Sequence, residues 1–278
     1  MQTRSDHTGA LARIGTAERL AAVALAETGR VYDLGMDIDE RMPAGPPEAF
    51  PRFARSFCAT PGRQGGAFDY AAEVIFSTLH TSTHIDAFVH VQRDGRIFGG
   101  ALDSEVRGDR GFSQHGAETI PPIVGRGVVL DVAGEPAALD DGYEITVADV
   151  EATVERSAVA LRDGDIVLVR TGKIRDFHRD PDRFHAHAPG VGRDAAIWLH
   201  EQGMAVLGVD TAGTEPAPIA DPERTTHVAM LVERGVNLIE NVNLDDVCAA
   251  GVTEGLFVCL PLRITGATGS WVRPVLVV

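Results

Sequence analysis

The sequence lacks several features that whole classes of protein require. It contains only three cysteines, Cys58, Cys248 and Cys259, and their spacing matches neither a disulfide framework nor a zinc ribbon. We therefore predict buried free thiols in a reducing, cytoplasmic compartment. There is no run of about 18 apolar residues and no apolar segment behind a basic start, so we expect neither a membrane-spanning helix nor a secretory signal.

An excess of basic charge is also missing. The chain has 25 Lys and Arg against 40 Asp and Glu, which gives a net charge of -15 at pH 7. We expect a small-molecule substrate and, because phosphates repel such a chain, neither nucleic acid nor a membrane as partner. With 278 residues and 44% hydrophobic content the chain can bury a sizeable core, and the lack of an internal repeat or linker predicts one domain.

Apolar runs alternate with segments that begin at capping residues and end at glycines. The first are rich in β-branched residues and predict strands, and the second predict helices. The predicted helices cover about residues 16–28, with Thr16 as the cap, 147–161, with Thr146 as the cap, 192–203 and 225–235. The predicted strands cover residues 31–35, 72–80, 126–134, 165–172, 204–210, 236–242, 256–264 and 273–278. This order predicts an α/β domain with a mixed β-sheet flanked by helices, whereas the proline-rich residues 42–66 predict an irregular segment.

Residues 80–90, "HTSTHIDAFVH", bring together His80, His84, Asp86 and His90. All four positions are even, so the side chains would share one face of an extended strand, whereas a helix would turn His84 and Asp86 about 200° apart. A straight strand would separate His80 and His84 by roughly 13 Å, yet metal ligands lie about 2 Å from their ion. We therefore predict a strand end that runs into a tight polar loop and curls at Ser82.

A metal explains this cluster better than a packed strand does. Although a single histidine is more often a core or surface residue, three imidazoles crowded around a carboxylate are costly without a cation. Imidazole and carboxylate ligands suit Zn, Mn or Fe, and the absence of cysteine ligands disfavours a closed structural site. In an open site a divalent metal activates water and polarises a carbonyl, and a nearby neutral histidine that is not a ligand can take up and return the proton. The predicted reaction is hydrolysis of an amide, lactam or lactone.

The same stretch resembles the H-x-G-T-H-x-D-x-P-x-H signature of the cyclase-like metal-dependent hydrolases, which include bacterial kynurenine formamidase and isatin hydrolase. The resemblance extends over about residues 30–278, through "DIVLVRTG", "WLHEQGMAVLGVDT", "HVAMLVERGVNLIENVNLDDV" and "LPLRITGATGSWVRPV". It implies a swivelling β/β/α fold in one domain over residues 1–278, with 1–29 as an N-terminal helical extension. Two residues depart from the signature. Ser82 replaces a glycine at the predicted curl, and Phe88 replaces a proline and is expected to change a wall near the site.

The resemblance also implies roles for individual residues. His90 would act as the acid and base, and Asp86 would be shared between two ions. The implied metal ligands are His80, His84 and Asp86 for the first ion, and Asp86, His227 and Glu240 for the second. We therefore expect one or two ions of Zn or Mn per chain, in a homodimer or homotetramer. The alternative for His227 and Glu240 is a solvated helix start and a solvated strand end.

Several other polar groups have two interpretations. The spacing of His178, His185 and His187 could make a metal site, but the prolines and charges around them predict a solvated loop, which could also edge the pocket. Asp210 and Glu215 follow a predicted strand and could shape a pocket or cap a turn. Thr83 could support the site or simply fill a strand. The "GATGSW" segment has neither a following helix nor a lysine, so we do not expect it to bind phosphate.

Two further function classes fit the same residues. A lyase, dehydratase or cyclase could use His90 to remove a proton next to a carbonyl, and a non-catalytic protein could simply bind the metal. An apolar pocket beside the metal ligands would favour an enzyme. A closed coordination sphere would favour the metal-binding protein.

Overall fold

The structure is a computed structural model and describes residues 8–43, 53–59 and 70–278. Its strands are β1 (Val31–Asp33), β2 (Ala54–Ala59), β3 (Ala71–Phe76), β4 (His84–Asp86), β5 (Arg107–Gly108), β6 (Gly111–Phe112), β7 (Ile123–Asp131), β8 (Glu144–Ile145), β9 (Ile166–Arg170), β10 (Gly190–Val191), β11 (Val206–Val209), β12 (Asn237–Glu240), β13 (Glu254–Cys259), β14 (Gly269–Trp271) and β15 (Val275–Val277). Its α-helices are α1 (Thr16–Val23), α2 (Asp103–Val106), α3 (Val147–Ser157), α4 (Pro181–Ala186), α5 (Arg193–Glu201) and α6 (Asp245–Ala249).

Short helical turns of other kinds connect these elements. The 3₁₀ turns are Gly9–Arg13, Phe98–Gly100, Ala117–Thr119, Lys173–Asp176 and Pro222–Arg224. A π-helical turn covers Val228–Val232 and replaces most of the helix predicted over residues 225–235. In the part of the chain that the structure describes, no helix has the length and apolarity needed to cross a membrane.

A nine-stranded mixed sheet in the order β1-β15-β13-β7-β9-β11-β12-β4-β14 forms the centre of the fold. Strands β7, β9, β11 and β12 are parallel, and antiparallel strands flank them on both sides. Every residue of β9 and β11 is buried, as expected of parallel strands covered on both faces. The sheet therefore confirms the predicted mixed α/β architecture.

The strand pleat sorts side chains into two cores. In β9, Ile166 and Leu168 belong to one core, whereas Val167 and Val169 belong to the other, which contains residues of α3, α5 and the π-helical turn. The same alternation acts in β4, where Ile85 is fully buried in the first core. The side chains of His84 and Asp86 consequently point to the opposite face of the sheet.

Helix boundaries followed the capping signals in part. Thr146 caps α3 as predicted, because its side chain accepts a hydrogen bond from the Asp149 N–H. The prediction that Thr16 caps a helix to about Thr28 is wrong, since Thr16 is the first residue of α1 and the helix ends at Val23. The reason is tertiary, because the Thr28 N–H donates to the Val278 carbonyl at 3.0 Å and leads the chain into β1 beside β15.

The segment 42–66 was predicted to be irregular, and this is wrong for residues 54–59. They form β2, which pairs with β3 from Ala54↔Phe76 to Ala59↔Ala71. The pairing partner lies beyond the proline-rich stretch, so local composition did not reveal it. The rest of the prediction falls mostly on residues 44–52 and 60–66, which lie outside the described residues, as do residues 1–7 of the predicted extension.

Candidate metal centre

The polar loop before β4 curls at Ser82, as the sequence predicted. Ser82 has φ +51°, a left-handed conformation that glycine adopts more easily than serine. Its hydroxyl donates to the Met36 carbonyl at 3.0 Å, and its own carbonyl accepts from Asn241 Nδ2 at 2.8 Å. These hydrogen bonds hold serine in the conformation that the glycine of the signature would reach without strain.

Strand pairing places the next part of the motif. His84 of β4 lies opposite Glu240 of β12 and Trp271 of β14, and Asp86 lies opposite Gly269. A Cβ atom at Gly269 would be 2.8 Å from the Ile85 carbonyl oxygen and 2.9 Å from His80 Cε1. The missing side chain at this position therefore lets the His80 ring pack against β14.

Two carboxylates lie between the imidazoles of this cluster. Asp86 Oδ1 is 2.9 Å from His80 Nδ1 and 3.5 Å from His84 Nε2, and Asp86 Oδ2 is 3.5 Å from His227 Nε2. Glu240 Oε2 is 3.4 Å from His84 Nε2, and Glu240 Oε1 is 3.2 Å from His227 Nε2. Each carboxylate thus directs one oxygen towards His84 and the other towards His227.

The other ring nitrogens of the first two histidines are held by polar partners. His84 Nδ1 lies 3.0 Å from the Ser82 carbonyl, which fixes the proton on Nδ1 and leaves a lone pair on Nε2. His80 Nε2 lies 2.8 Å from Thr268 Oγ1 and leaves Nδ1 to face Asp86. A histidine that binds metal through one nitrogen usually has its other nitrogen held in this way.

Glu215 uses both of its carboxylate oxygens to hold His227 in a fixed orientation. Oε1 accepts the His227 backbone N–H at 2.7 Å, and Oε2 accepts the proton of Nδ1. Burial would lower the pKa of His227, but the charges of Glu215 and Glu240 raise it well above its usual value. Glu215 therefore orients the imidazole so that Nε2 faces Asp86.

The cluster fits a divalent metal. Asp86 and His84 are almost fully buried, and among the described residues both Asp86 carboxylate oxygens, His84 Nε2 and His80 Nδ1 make no hydrogen bond. Leaving such groups buried without a partner is costly. Most of the nitrogen-to-oxygen separations are also near the roughly 3.3 Å edge of a tetrahedron whose metal–ligand bonds are about 2.0–2.1 Å. The donor set is one that a divalent cation would satisfy.

His90 lies between this cluster and a cavity. Its ring stacks on that of His80 with centroids 3.8 Å apart, and one of its nitrogens lies within 4.8 Å of ligand atoms of Asp86 and His227. Burial lowers the pKa of His90 to about 3, so its imidazole is neutral near pH 7. His90 is therefore placed to exchange protons with a molecule in the cavity.

The cavity has a volume of about 340 Å³ and is mainly apolar. The described residues that line it are His90, Val91, His185, Ala212, Gly213, Glu215, Pro216, Ala217, Ile219, Thr225 and His227. Phe88 does not belong to this wall, which differs from the prediction, because its ring packs against Phe98 at a centroid distance of 4.7 Å. The replacement of proline at this position therefore alters the core beside the site and not the cavity lining.

Asp210 and Thr83, for which two interpretations were open, both have structural roles. Asp210 is fully buried and accepts hydrogen bonds from the Thr171 N–H at 2.9 Å and the Gly172 N–H at 2.8 Å, so it holds a turn. The Thr83 hydroxyl donates to the Asn241 carbonyl at 2.7 Å and ties β4 to the end of β12. Both adopt the structural alternative, and neither lines the described cavity.

The prediction of a solvated loop around His178, His185 and His187 is wrong, and the solvated alternative for His227 and Glu240 does not hold either. Residues 181–186 form α4, which Asp180 caps through the Arg183 N–H, and His185 of this helix lines the cavity. His227 and Glu240 are not solvated either, since Glu240 is only 4% exposed and the His227 side chain 15%. In both cases long-range packing overrides the polar local composition.

Sequence reasoning missed Thr268 and left Glu215 open. Thr268 precedes β14 in the glycine-rich "GATGSW" segment, and it contacts His80 across the sheet edge. Glu215 lies twelve positions before its partner His227. Neither residue has a periodic pattern or motif spacing around it, so only the folded chain reveals its partner.

Known proteins resemble this chain along most of its length. A family model described as putative cyclase matches residues 32–216. A kynurenine formamidase from Paracidovorax citrulli is 30% identical over 86% of this chain and 94% of its own. A solved structure described as a novel cyclase has a TM-score of 0.89 at 27% identity and covers 99% of this chain and 95% of that one. Isatin hydrolase A from Labrenzia aggregata, bound to benzyl benzoate, has a TM-score of 0.69 at 25% identity over 94% of this chain and 98% of its own.

Proposed function

The chain belongs to the cyclase family, and from this premise we propose that it is a metal-dependent hydrolase that cleaves an amide C–N bond in a small aromatic or cyclic substrate. The observation that carries the proposal is a buried cluster of imidazoles and carboxylates that opens on a mainly apolar cavity. A lactone ester has the same carbonyl and falls within the same proposal.

The proposed metal ligands form two groups that share one carboxylate. His80, His84 and Asp86 would hold the first ion, and Asp86, His227 and Glu240 would hold the second. The support is the set of 2.9–3.5 Å separations between their facing atoms. Imidazole and carboxylate donors suit Zn or Mn. When bound, such a metal supplies Lewis-acid polarisation of the carbonyl and an acidified water.

The protein's own residues would move the protons. His90 is neutral near pH 7 because burial lowers its pKa to about 3, and it lines the cavity beside His227. It would accept a proton from the attacking water while the hydroxyl joins the carbonyl carbon. As the C–N bond breaks, His90 would return that proton to the leaving nitrogen. Glu215 would keep His227 oriented throughout, because it holds the ring nitrogen that faces away from Asp86.

The cavity favours an enzyme over a protein that only binds metal. Its volume of about 340 Å³ lies near the lower end of ligand sites, which are typically about 300–1,000 Å³. A ring with one or two substituents would fill it. The names of two relatives, kynurenine formamidase and isatin hydrolase, indicate an amide attached to or contained in an aromatic ring system, and we propose this class for the present chain.

The direct test is a substrate screen on purified protein whose metal content has been measured. N-formyl aromatic amines, cyclic amides and lactones would be compared, with product identity followed by mass spectrometry. We expect hydrolysis of at least one amide class, with the mass of one water added across the cleaved bond. Elimination or cyclisation products without that mass would show that the protein is a lyase or a cyclase and not a hydrolase. If the metal-loaded protein turned over none of these compounds, the proposal would be contradicted.

We further propose a cytoplasmic homodimer or homotetramer. The β2–β3 hairpin supports self-association, because a two-stranded hairpin is only marginally stable alone and this one exposes Phe57, Val74 and Phe76 by more than 60% each. Cys248 and Cys259 are free, which suits a reducing compartment. Light scattering should give the mass of two or four chains, and a monomer at micromolar concentration would contradict the oligomer.

A further inference from the structure

The wall of the cavity contains a histidine that the proposed chemistry does not use. His185 belongs to α4 and lines the same cavity as His90 and His227. The helix has a fixed rotation, since the neighbouring Phe184 is fully buried and its ring meets that of Phe177 with centroids 5.4 Å apart. The position of His185 on the cavity wall is therefore built into the fold.

The imidazole of His185 is available to a ligand. Among the described residues it makes no hydrogen bond and no ion pair, although it is partly buried. Burial also lowers the pKa of His185 below its usual value, which keeps the ring neutral near pH 7. A neutral imidazole offers one N–H donor and one nitrogen acceptor, so it can pair with either kind of uncharged polar group.

The charge around the cavity further restricts which substituent the ligand can carry. None of the described lining residues is a lysine or arginine, whereas Glu215 contributes a carboxylate. A substrate carboxylate placed here would meet neither a lysine nor an arginine on this wall. The remaining surface, which includes Val91, Pro216 and Ile219, is apolar and suits a flat ring.

We propose that His185 binds an uncharged hydrogen-bonding substituent, a carbonyl or an amine, on the ring of the substrate, at a position remote from the scissile bond. This inference rests on the proposed function and specifies its substrate class. The ring would lie against the apolar wall, the scissile carbonyl would face His90 and the metal ligands, and His185 would select the substituent. His185 is thus a specificity residue that takes no part in proton transfer.

The test compares three substrates that differ in one substituent. Formanilide, an acetyl-substituted formanilide and a carboxylate-substituted formanilide would be assayed with wild type, His185→Ala, His185→Gln and the matched control His187→Ala. His187 is exposed at the end of the same helix and does not line the described cavity. Melting temperatures and metal content would show that all variants fold and load normally.

Wild type should prefer the acetyl compound over formanilide by about 3- to 10-fold in kcat/KM, the effect of one net hydrogen bond, mainly through KM. His185→Ala should abolish that preference, His185→Gln should retain part of it because glutamine also donates and accepts, and His187→Ala should leave it unchanged. A preference that survives His185→Ala, or a wild-type preference for the carboxylate compound, would overturn the inference.

A binding measurement separates this inference from the proposed hydrolysis. Calorimetry with aniline and acetyl-substituted aniline, the amines that hydrolysis would release, reports on the cavity even if no formanilide is cleaved. Tighter binding of the acetyl compound that depends on His185 would support the inference on its own. Equal binding of both amines to wild type and to His185→Ala would contradict it, whatever the outcome of the hydrolysis assay.

Discussion

Single residues decide how the histidine motif becomes a site. The even spacing of His80, His84 and Asp86 predicted a shared site, and the need to curl at Ser82 followed from the roughly 3.3 Å rise of a strand. The hydrogen bonds that Thr268 shares with His80 and that Glu215 accepts from His227 could not be predicted, because each partner is distant in sequence and lies in a segment without periodicity. Local spacing therefore predicted the candidate ligands of the motif and the resemblance added His227 and Glu240, whereas the residues that orient the imidazoles are found only in the fold.

Ser82 provides a test of stability at this scale. Its left-handed conformation costs about 1–2 kcal/mol relative to glycine, and its hydroxyl bond to the Met36 carbonyl returns about 1 kcal/mol. Ser82→Ala keeps the strain and loses the bond, so it should lower the free energy of unfolding by about 1 kcal/mol or more. Ser82→Gly loses both and should stay close to wild type. Urea unfolding measures the difference, and an alanine variant at least as stable as the glycine variant would refute the account of the curl.

His90 and His84 provide a test of chemistry. If His90 exchanges protons, His90→Ala should lower kcat by about 10²- to 10⁴-fold and leave metal content nearly unchanged. His84→Ala should instead lose metal, because His84 Nε2 faces both Asp86 and Glu240. Metal analysis and steady-state kinetics on the two variants separate the roles. Equal metal loss in both would make His90 a ligand, a role that its closeness to Asp86 and His227 also permits.

At the scale of elements, the site depends on three pieces that meet at one end of the sheet. Strand β4 supplies His84 and Asp86, β12 supplies Glu240 directly opposite His84, and His227 precedes the π-helical turn. The longer strands were predictable from their apolar runs. Strands β4 and β14 were not, because β4 lies in the polar histidine motif and β14 in the glycine-rich "GATGSW" segment, neither of which has an apolar run.

This arrangement predicts what happens to the metal content when a proposed ligand of the second ion is removed. His227→Ala or Glu240→Ala should weaken or remove one metal while the first triad retains the other, so metal content should fall by about one ion per chain if two bind. Inductively coupled plasma mass spectrometry on dialysed protein gives the count. Glu233→Ala is a control, since Glu233 follows the π-helical turn and pairs with Arg93 and Arg193 at the surface. Unchanged metal content in both ligand variants would leave a single-metal site.

At the scale of the whole molecule, the central strands could be predicted from the sequence, whereas the outer strand pairs could be predicted only in part. The central parallel strands and the mixed sheet followed from runs such as "DIVLVRTG" and "MAVLGVD", where burial on both faces leaves a continuous apolar signal. Strand β3 was predicted, but β2 and its pairing with β3 were not, because the pairing crosses a proline-rich stretch. The site lies on β12, β4 and β14, where the parallel strands meet the antiparallel strands at one side of the sheet, so it forms only when these strands have paired.

The most direct test of the central claim follows metal content and hydrolysis in one sample. Protein stripped by a chelator would be reloaded stepwise with Zn or Mn, and amide hydrolysis would be measured beside elemental analysis at each step. The account predicts no turnover without metal and activity that rises in proportion to the metal bound, with Asp86→Ala inactive throughout. Full turnover by protein that elemental analysis shows to be free of metal would contradict it.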